Sequence, residues 1–167
     1  MTTAAELRSR ARLWRKGNYF EDFEVGKVFF HHWGRTLTES DNVQFSALTL
    51  NYHPSYFNVP YAKALGHPAG VANPMLVFLV VFGLSVEDLS EIGGAFLSVR
   101  ALTFHRPVSV GETVTARSTV TAVRASASRP REGIVTWHTH GFDEHGELLI
   151  DFLRTNLISK RPIGDPA

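Results

Sequence analysis

The apolar positions of this 167-residue chain follow two regimes, helical spacing in the front half and strand-like alternation in the back half. Residues 4–16 are rich in helix formers and set Leu7 and Leu13 among Arg8, Arg10, Arg12 and Arg15. That pattern predicts a helix docked by one thin apolar stripe and ended by Gly17 and Asn18. Residues 27–37 mix aromatic, branched and polar side chains as a strand does. Thr38-Glu39-Ser40-Asp41 then offers a capping hydroxyl and early acids for a helix through Leu48. Residues 49–54 have no period and read as a loop, after which Tyr56 to Leu65 resumes a short helical pattern closed by Gly66.

Asn73-Pro74 is a strong helix start, because asparagine can cap free amides and proline at the first helical position gives up an N–H that has no partner. The helix it opens is predicted to run from Pro74 to about Leu89. From Met75 to Phe82 it is apolar on all sides, which is stable in water only if other structure wraps it. Four strands, predicted at 95–105, 112–124, 134–142 and 148–159, can form the wrapper. Asp143-Glu144-His145-Gly146 fits a tight hairpin with glycine in the left-handed position, and residues 107–111 fit a turn, so neighbouring strands are expected to be antiparallel. One sheet layer over one helix leaves a further face to cover. That favours pairing of subunits, with a dimer as the minimum.

Composition narrows the field. With 44% apolar residues the chain can close one sizeable core, which gives a single domain at 19–161 with a helical extension at 1–18 and a tail at 162–167. Lys plus Arg total 17 against 16 Asp plus Glu, so there is no field that would favour nucleic acid or a membrane surface. The absence of cysteine excludes disulfides, thiolate nucleophiles and sulfur-ligated metals; with no leader-like pattern in the first ten residues, a cytoplasmic protein is expected. The longest apolar stretch, 74–84, is about half the roughly 20 residues that cross a bilayer, so it reads as a buried helix.

Three segments carry a family resemblance: Thr38-Glu39-Ser40-Asp41, then Asn51-Tyr52-His53-Pro54-Ser55-Tyr56, then Phe104-His105-Arg106-Pro107-Val108-Ser109-Val110-Gly111-Glu112-Thr113. Together they resemble the MaoC-like hydratases and dehydratases over roughly residues 19–161. The last segment is the most family-like and chiefly structural. The resemblance implies an α+β hotdog fold, a long central helix wrapped by a curved antiparallel β-sheet, acting on an acyl thioester in a homodimer or higher homo-oligomer. Residues 36–50 and 84–88 look closest to the branch that hydrates branched or dicarboxylic enoyl-CoA esters such as mesaconyl-CoA and itaconyl-CoA.

In the (R)-specific enoyl-CoA hydratases of that family, an Asp and a His in the motif Asp-x-Asn-Pro-x-His hold one water and move its protons. Laid on this sequence, the Asp position falls on Asn51, the Asn on His53, the Pro on Pro54 and the His on Tyr56. An amide exchanges no proton at ordinary pH, and a phenol with a pKa of about 10 can donate but is a poor base. His53 is the one group of the loop that titrates near neutrality, so it is the candidate base, with Tyr56 donating to an oxygen and Asn51 orienting water or the thioester. The plainer alternative has Asn51 bracing the loop, His53 stacking on Tyr52 or Tyr56, and the tyrosines filling space.

The family also uses the start of the buried helix, whose free amides and positive dipole end polarise the thioester carbonyl. Pro74 has no N–H, so donors would be Ala72, Met75 or Leu76, with the Asn73 side chain as a substitute or merely a cap. Elsewhere, His138 and His140 share a strand face without a third ligand at informative spacing, so no metal is expected. His31-His32 and His145 read as a strand surface and a turn, and Asp41 as a first-turn helix acid. Arg124, Arg129 and Arg131 around one hairpin either meet CoA phosphates or are simply solvated. The expected activity is a lyase working at the α,β-bond of an acyl-CoA or acyl-carrier-protein ester, with no cofactor beyond the CoA or phosphopantetheine of the substrate. The alternatives are a hotdog thioesterase, disfavoured because no Asp or Glu lies between Asn51 and Val86, and a non-catalytic acyl-thioester-binding subunit.

Overall fold

A computed structural model describes residues 3–11 and 17–163 of the chain. Helix α1 (Ala4–Arg10) is opened by a capping box between Thr3 and Glu6 but buries none of its residues. Leu7 is exposed, so the described turns lack the docked stripe that its spacing suggested; the rest of the expected helix, residues 12–16, lies outside the described residues. The strand expected at 27–37 is two short pieces, β1 (Val28–Phe30) and β2 (Arg35–Thr36). Helix α2 (Glu39–Leu48) starts at Thr38, whose hydroxyl accepts from the Asp41 amide while Asp41 accepts from the Thr38 amide. A 3-10 turn (Pro54–Tyr56) and helix α3 (Val59–Ala64) follow, then α4 (Pro74–Leu84) and α5 (Val86–Leu89). Strands β3 (Phe96–Phe104), β4 (Thr113–Ala125), β5 (Glu132–Phe142) and β6 (Leu148–Ser159) complete the chain.

All strand pairs are antiparallel, in the order β1-β4-β5-β6-β3, with β2 also on β4. Alternation along β5 turns Val135, Trp137 and Gly141 to the helix side and His138, His140 and Phe142 to the open side. Gly141 lets α4 sit close to the sheet, since a Cβ there would meet Val81 and Ile150. Val77, Phe78 and Val81 of α4 pack with Leu37, Val114 and Phe152, while Leu89 anchors a second cluster with Trp137 and Ile158. The wrapping is incomplete: Met75 and Leu79 on α4 stay 42% and 47% exposed.

The single helix expected to reach Leu89 is broken at Ser85. Its hydroxyl donates to the Phe82 carbonyl at 2.7 Å and receives a bond from the Arg154 guanidinium at 2.9 Å. A serine bonding back onto its own helix and gripped from the sheet gives the chain a fixed point at which to turn. Among the described residues no helix is long and apolar enough to cross a membrane.

His31 is inside, not on the strand surface that its sequence context suggested. Its amide continues the β1 register by bonding the Ala116 carbonyl, so alternation sends Phe30 out and His31 in. There Nδ1 meets Asp88 Oδ2 at 2.6 Å, Nε2 meets Ser118 Oγ at 2.9 Å, and Ser118 Oγ meets Thr139 Oγ1 at 2.8 Å. Burial pushes the imidazole below its ordinary pKa against the pull of Asp88, with Arg154 and His32 adding to the depression. The folded chain therefore protonates His31 less readily than the unfolded chain, whose imidazole takes up a proton below about pH 6.5. Stability present above that pH is lost as the pH falls toward the depressed value. Thermal melts are expected to show a lower Tm at about pH 5.5 than at about pH 7.5, and His31→Gln to shrink that difference; an unchanged difference would remove His31 as a cause.

Candidate functional site

The site is organised by Asn42, a buried residue one turn into α2. Its Nδ2 donates to the carbonyls of Tyr56 at 3.0 Å and Val71 at 2.9 Å, and its Oδ1 accepts from the Asn73 amide at 2.7 Å. The Val71 amide in turn bonds the Ser55 carbonyl at 3.3 Å. One side chain thus ties the 51–56 loop to the segment leading into α4, and satisfies backbone groups that burial would otherwise leave orphaned. Sequence reading missed Asn42. Its only local signal is an asparagine in a helix interior, where it is a poor helix former and needs a tertiary reason.

At the start of α4 the donors are largely committed. Asn73 is fully buried, its Oδ1 capping the Met75 amide at 3.0 Å and its Nδ2 donating to Ser46 Oγ at 3.1 Å. The Ala72 amide bonds the Val108 carbonyl at 2.8 Å. The polar groups through which Asn73, Ala72 and Met75 were expected to touch a ligand are therefore spent inside the protein. In the first turn the Leu76 amide is the N–H that none of these bonds uses.

In the loop, His53 is exposed and opens the 3-10 turn, accepting from the Ser55 amide through Nδ1 at 3.4 Å. Its ring centroid lies 5.5 Å from Tyr56 and 6.4 Å from Tyr61; Tyr52 pairs instead with Phe57. A contact of 3.4 Å is at the weak limit of a hydrogen bond, so little holds the imidazole to its backbone partner. Asn51 is exposed, and its amide bonds the Ser46 carbonyl at 2.9 Å. Tyr56 is half-buried, and burial pushes its phenol above the ordinary value, making it more firmly a donor.

A largely apolar cavity of about 370 Å³ opens at this end of α4, bordered by Val71, Ala72, Pro74, Val77, Phe104 and Val108. A smaller one of about 220 Å³ is bordered by Ser55, Tyr56, Asn58, Gly70 and Val110. The Arg-Pro-Val and Gly-Glu-Thr motif frames this region as structure: Arg106 pairs with Glu112 at 2.7 Å and Asp143 at 2.6 Å, Glu112 accepts the Ser109 amide, and Gly111 has φ of 100°. On the open face of the sheet His138 and His140 do lie side by side, but among the described residues no group of His, Cys, Asp or Glu is arranged to hold a metal ion. Of the hairpin arginines, Arg129 pairs with Glu132 at 3.2 Å.

Residues 1–165 match the family model described as mesaconyl-CoA hydratase. A mesaconyl-CoA hydratase of Haloarcula marismortui is 40% identical over 160 residues, 95% of this chain and 45% of that protein. Among solved structures, a MaoC domain dehydratase from Chloroflexus aurantiacus superposes with a TM-score of 0.82 at 30% identity, covering 90% of this chain and 43% of that one. A Mycobacterium tuberculosis protein with a double hotdog fold gives 0.81 at 28% identity, covering 90% and 47%. The chain spans about half the length of each of these three proteins.

Proposed function

Since the chain belongs to the mesaconyl-CoA hydratase family of MaoC-like hotdog proteins, we propose that it adds water to, or removes it from, the α,β-bond of an acyl-CoA ester bound at the start of α4. One observation carries this reading: Asn42 fastens the His53 loop to the leading end of an apolar, N-capped helix beside a cavity. In hydration, a water O–H bond breaks with its proton passing to His53, while the oxygen bonds Cβ. The π pair moves to the thioester oxygen, where the α4 dipole and the Leu76 amide stabilise the negative charge. Cα then takes a proton back, and the sum is one water added. His53 serves as base once Nδ1 leaves the Ser55 amide; Tyr56 donates to an oxygen and Asn51 orients the water.

We read the acyl group as branched or dicarboxylic, by analogy with the relatives named for mesaconyl-CoA, and the substrate's own CoA as the sole cofactor. Residues 19–161 then form the hotdog domain, with 1–18 and 162–167 as appendages, in a cytoplasmic protein. Incubation with a panel of enoyl- and 3-hydroxyacyl-CoA esters followed by mass spectrometry tests the reading. A shift of one water supports it; release of free thiol would mean hydrolysis, and binding without change a non-catalytic subunit.

The same reading makes the chain a homodimer. Met75 and Leu79 leave an apolar stripe uncovered, and β3 presents an edge with Phe96, Leu97 and Phe104 exposed. Leu79→Lys is expected to shift sedimentation from dimer to monomer. Sedimentation of the variant as the parent does would count against this interface.

A further inference from the structure

The open face of the sheet carries a row of side chains that the lyase reading leaves unused. In register, Phe30 of β1 lies opposite Arg117 of β4, Arg117 opposite His140 of β5, and His140 opposite Asp151 of β6. Residues directly opposite on antiparallel strands project from the same face. Next along, Phe142 lies opposite Thr115, and the Arg117 guanidinium sits 5.1 Å from the Phe142 ring centroid. The Phe142 ring in turn lies nearly parallel to His140, 18° apart at 6.1 Å. Phe30 is 74% exposed, and with Thr115, Arg117, Phe142 and Gly146 it borders a cavity of about 350 Å³.

Charge on this face is unbalanced. The carboxylate of the row, Asp151, is already taken, accepting from His138 Nε2 at 2.7 Å and His105 Nε2 at 2.6 Å. Among the described residues Arg117 has no acidic partner, and His140 Nδ1 is buried without a hydrogen bond. A guanidinium over one ring, with a second ring exposed beside it, suits a ligand that is itself part flat and part anionic.

We propose that this opening receives the phosphorylated adenine nucleotide of acyl-CoA, with the base on Phe30 and a phosphate on Arg117. The proposal rests on the lyase reading above for its choice of CoA as the carrier. Position agrees with it, because both openings flank the turn between β5 and β6: Gly146 of that turn borders this cavity, while Arg106, which bonds Asp143 of the same turn, borders the one at the start of α4. The pantetheine arm therefore has one hairpin to pass.

Arg117→Ala, compared with the parent on an acyl-CoA ester and on the same acyl group carried by pantetheine alone, tests the assignment. KM for the CoA ester is expected to rise about ten-fold, the loss of one charge-assisted phosphate contact, with kcat and the pantetheine ester unaffected. Calorimetric titration with adenosine 3′,5′-bisphosphate is expected to show binding to the parent and little to the variant. Phe30→Ala should weaken the same binding without changing Tm. Equal effects on both esters, or a parent that does not bind the bisphosphate, would overturn the site, as would tighter binding of ADP than of the bisphosphate. A change in sedimentation without loss of nucleotide binding would give the face to a second copy of the chain and overturn it too. Binding dependent on Arg117 in a parent that turns over neither ester would support the nucleotide site while removing the lyase reading; turnover of both esters with equal KM would do the reverse.

Discussion

His53→Ala is expected to fold as the parent does and to lose about 10²- to 10⁴-fold in kcat for hydration of an enoyl-CoA ester. The size follows from the loop's chemistry. Asn51 exchanges no proton, and the Tyr56 phenol is pushed by burial further from neutrality, so removing His53 leaves the loop no group to carry the water's proton. The fold should hardly notice, because the exposed ring makes one long bond to the Ser55 amide and its loss costs about 0.5 kcal/mol. Tyr56→Phe removes a donor but no shuttle, so its loss in kcat should be smaller than that of His53→Ala. Measuring kcat and Tm together separates chemistry from folding. A His53→Ala enzyme with parental kcat would make the loop structural and send the search for the base elsewhere.

Most of the architecture was legible because it is written locally. The Thr38 and Asp41 box and the alternation of the long strands gave elements within two or three residues of those found, and the Asn73-Pro74 pair gave the start of α4 though not its end. What escaped was set by partners distant in sequence. Ser85, where the helix breaks, is held by Arg154, which comes from a strand at the other end of the chain. The inward turn of His31 depends on the register of β1 against β4, which no local period encodes. The loop's placement at the tip of α4 could be inferred, but not the asparagine that holds it there, because Asn42 acts on three backbone groups belonging to other segments. The candidate site shows the same division: Asn42 ties the Tyr56 carbonyl to the segment leading into α4, whereas Asn73, Ala72 and Met75 spend their donors internally, since a buried helix start must satisfy its own amides first.

The largest stability effect should come from Arg154→Ala, at about 3–5 kcal/mol. The side chain is buried and, among the described residues, has no carboxylate partner. Its Nε donates to Asn156 Oδ1 at 3.0 Å and its two terminal nitrogens to Ser85 and Ser90, while the guanidinium lies 4.0 Å from the Phe82 ring centroid. Alanine there removes every one of those bonds and leaves a void between Phe82 and Trp137. Yet a lone buried cation is itself disfavoured, and burial lowers the pKa of this arginine to about 10. Arg154→Met, which restores the volume without the charge, is therefore expected to recover most of the lost stability in denaturant titrations. It cannot recover the hold on Ser85 and Ser90, so α5 should exchange its amide hydrogens faster in the methionine variant than in the parent. If methionine were as damaging as alanine, the guanidinium's bonds would dominate its packing. If α5 stayed protected, the break after α4 would belong to Ser85 alone, and the arginine would be a filler of space.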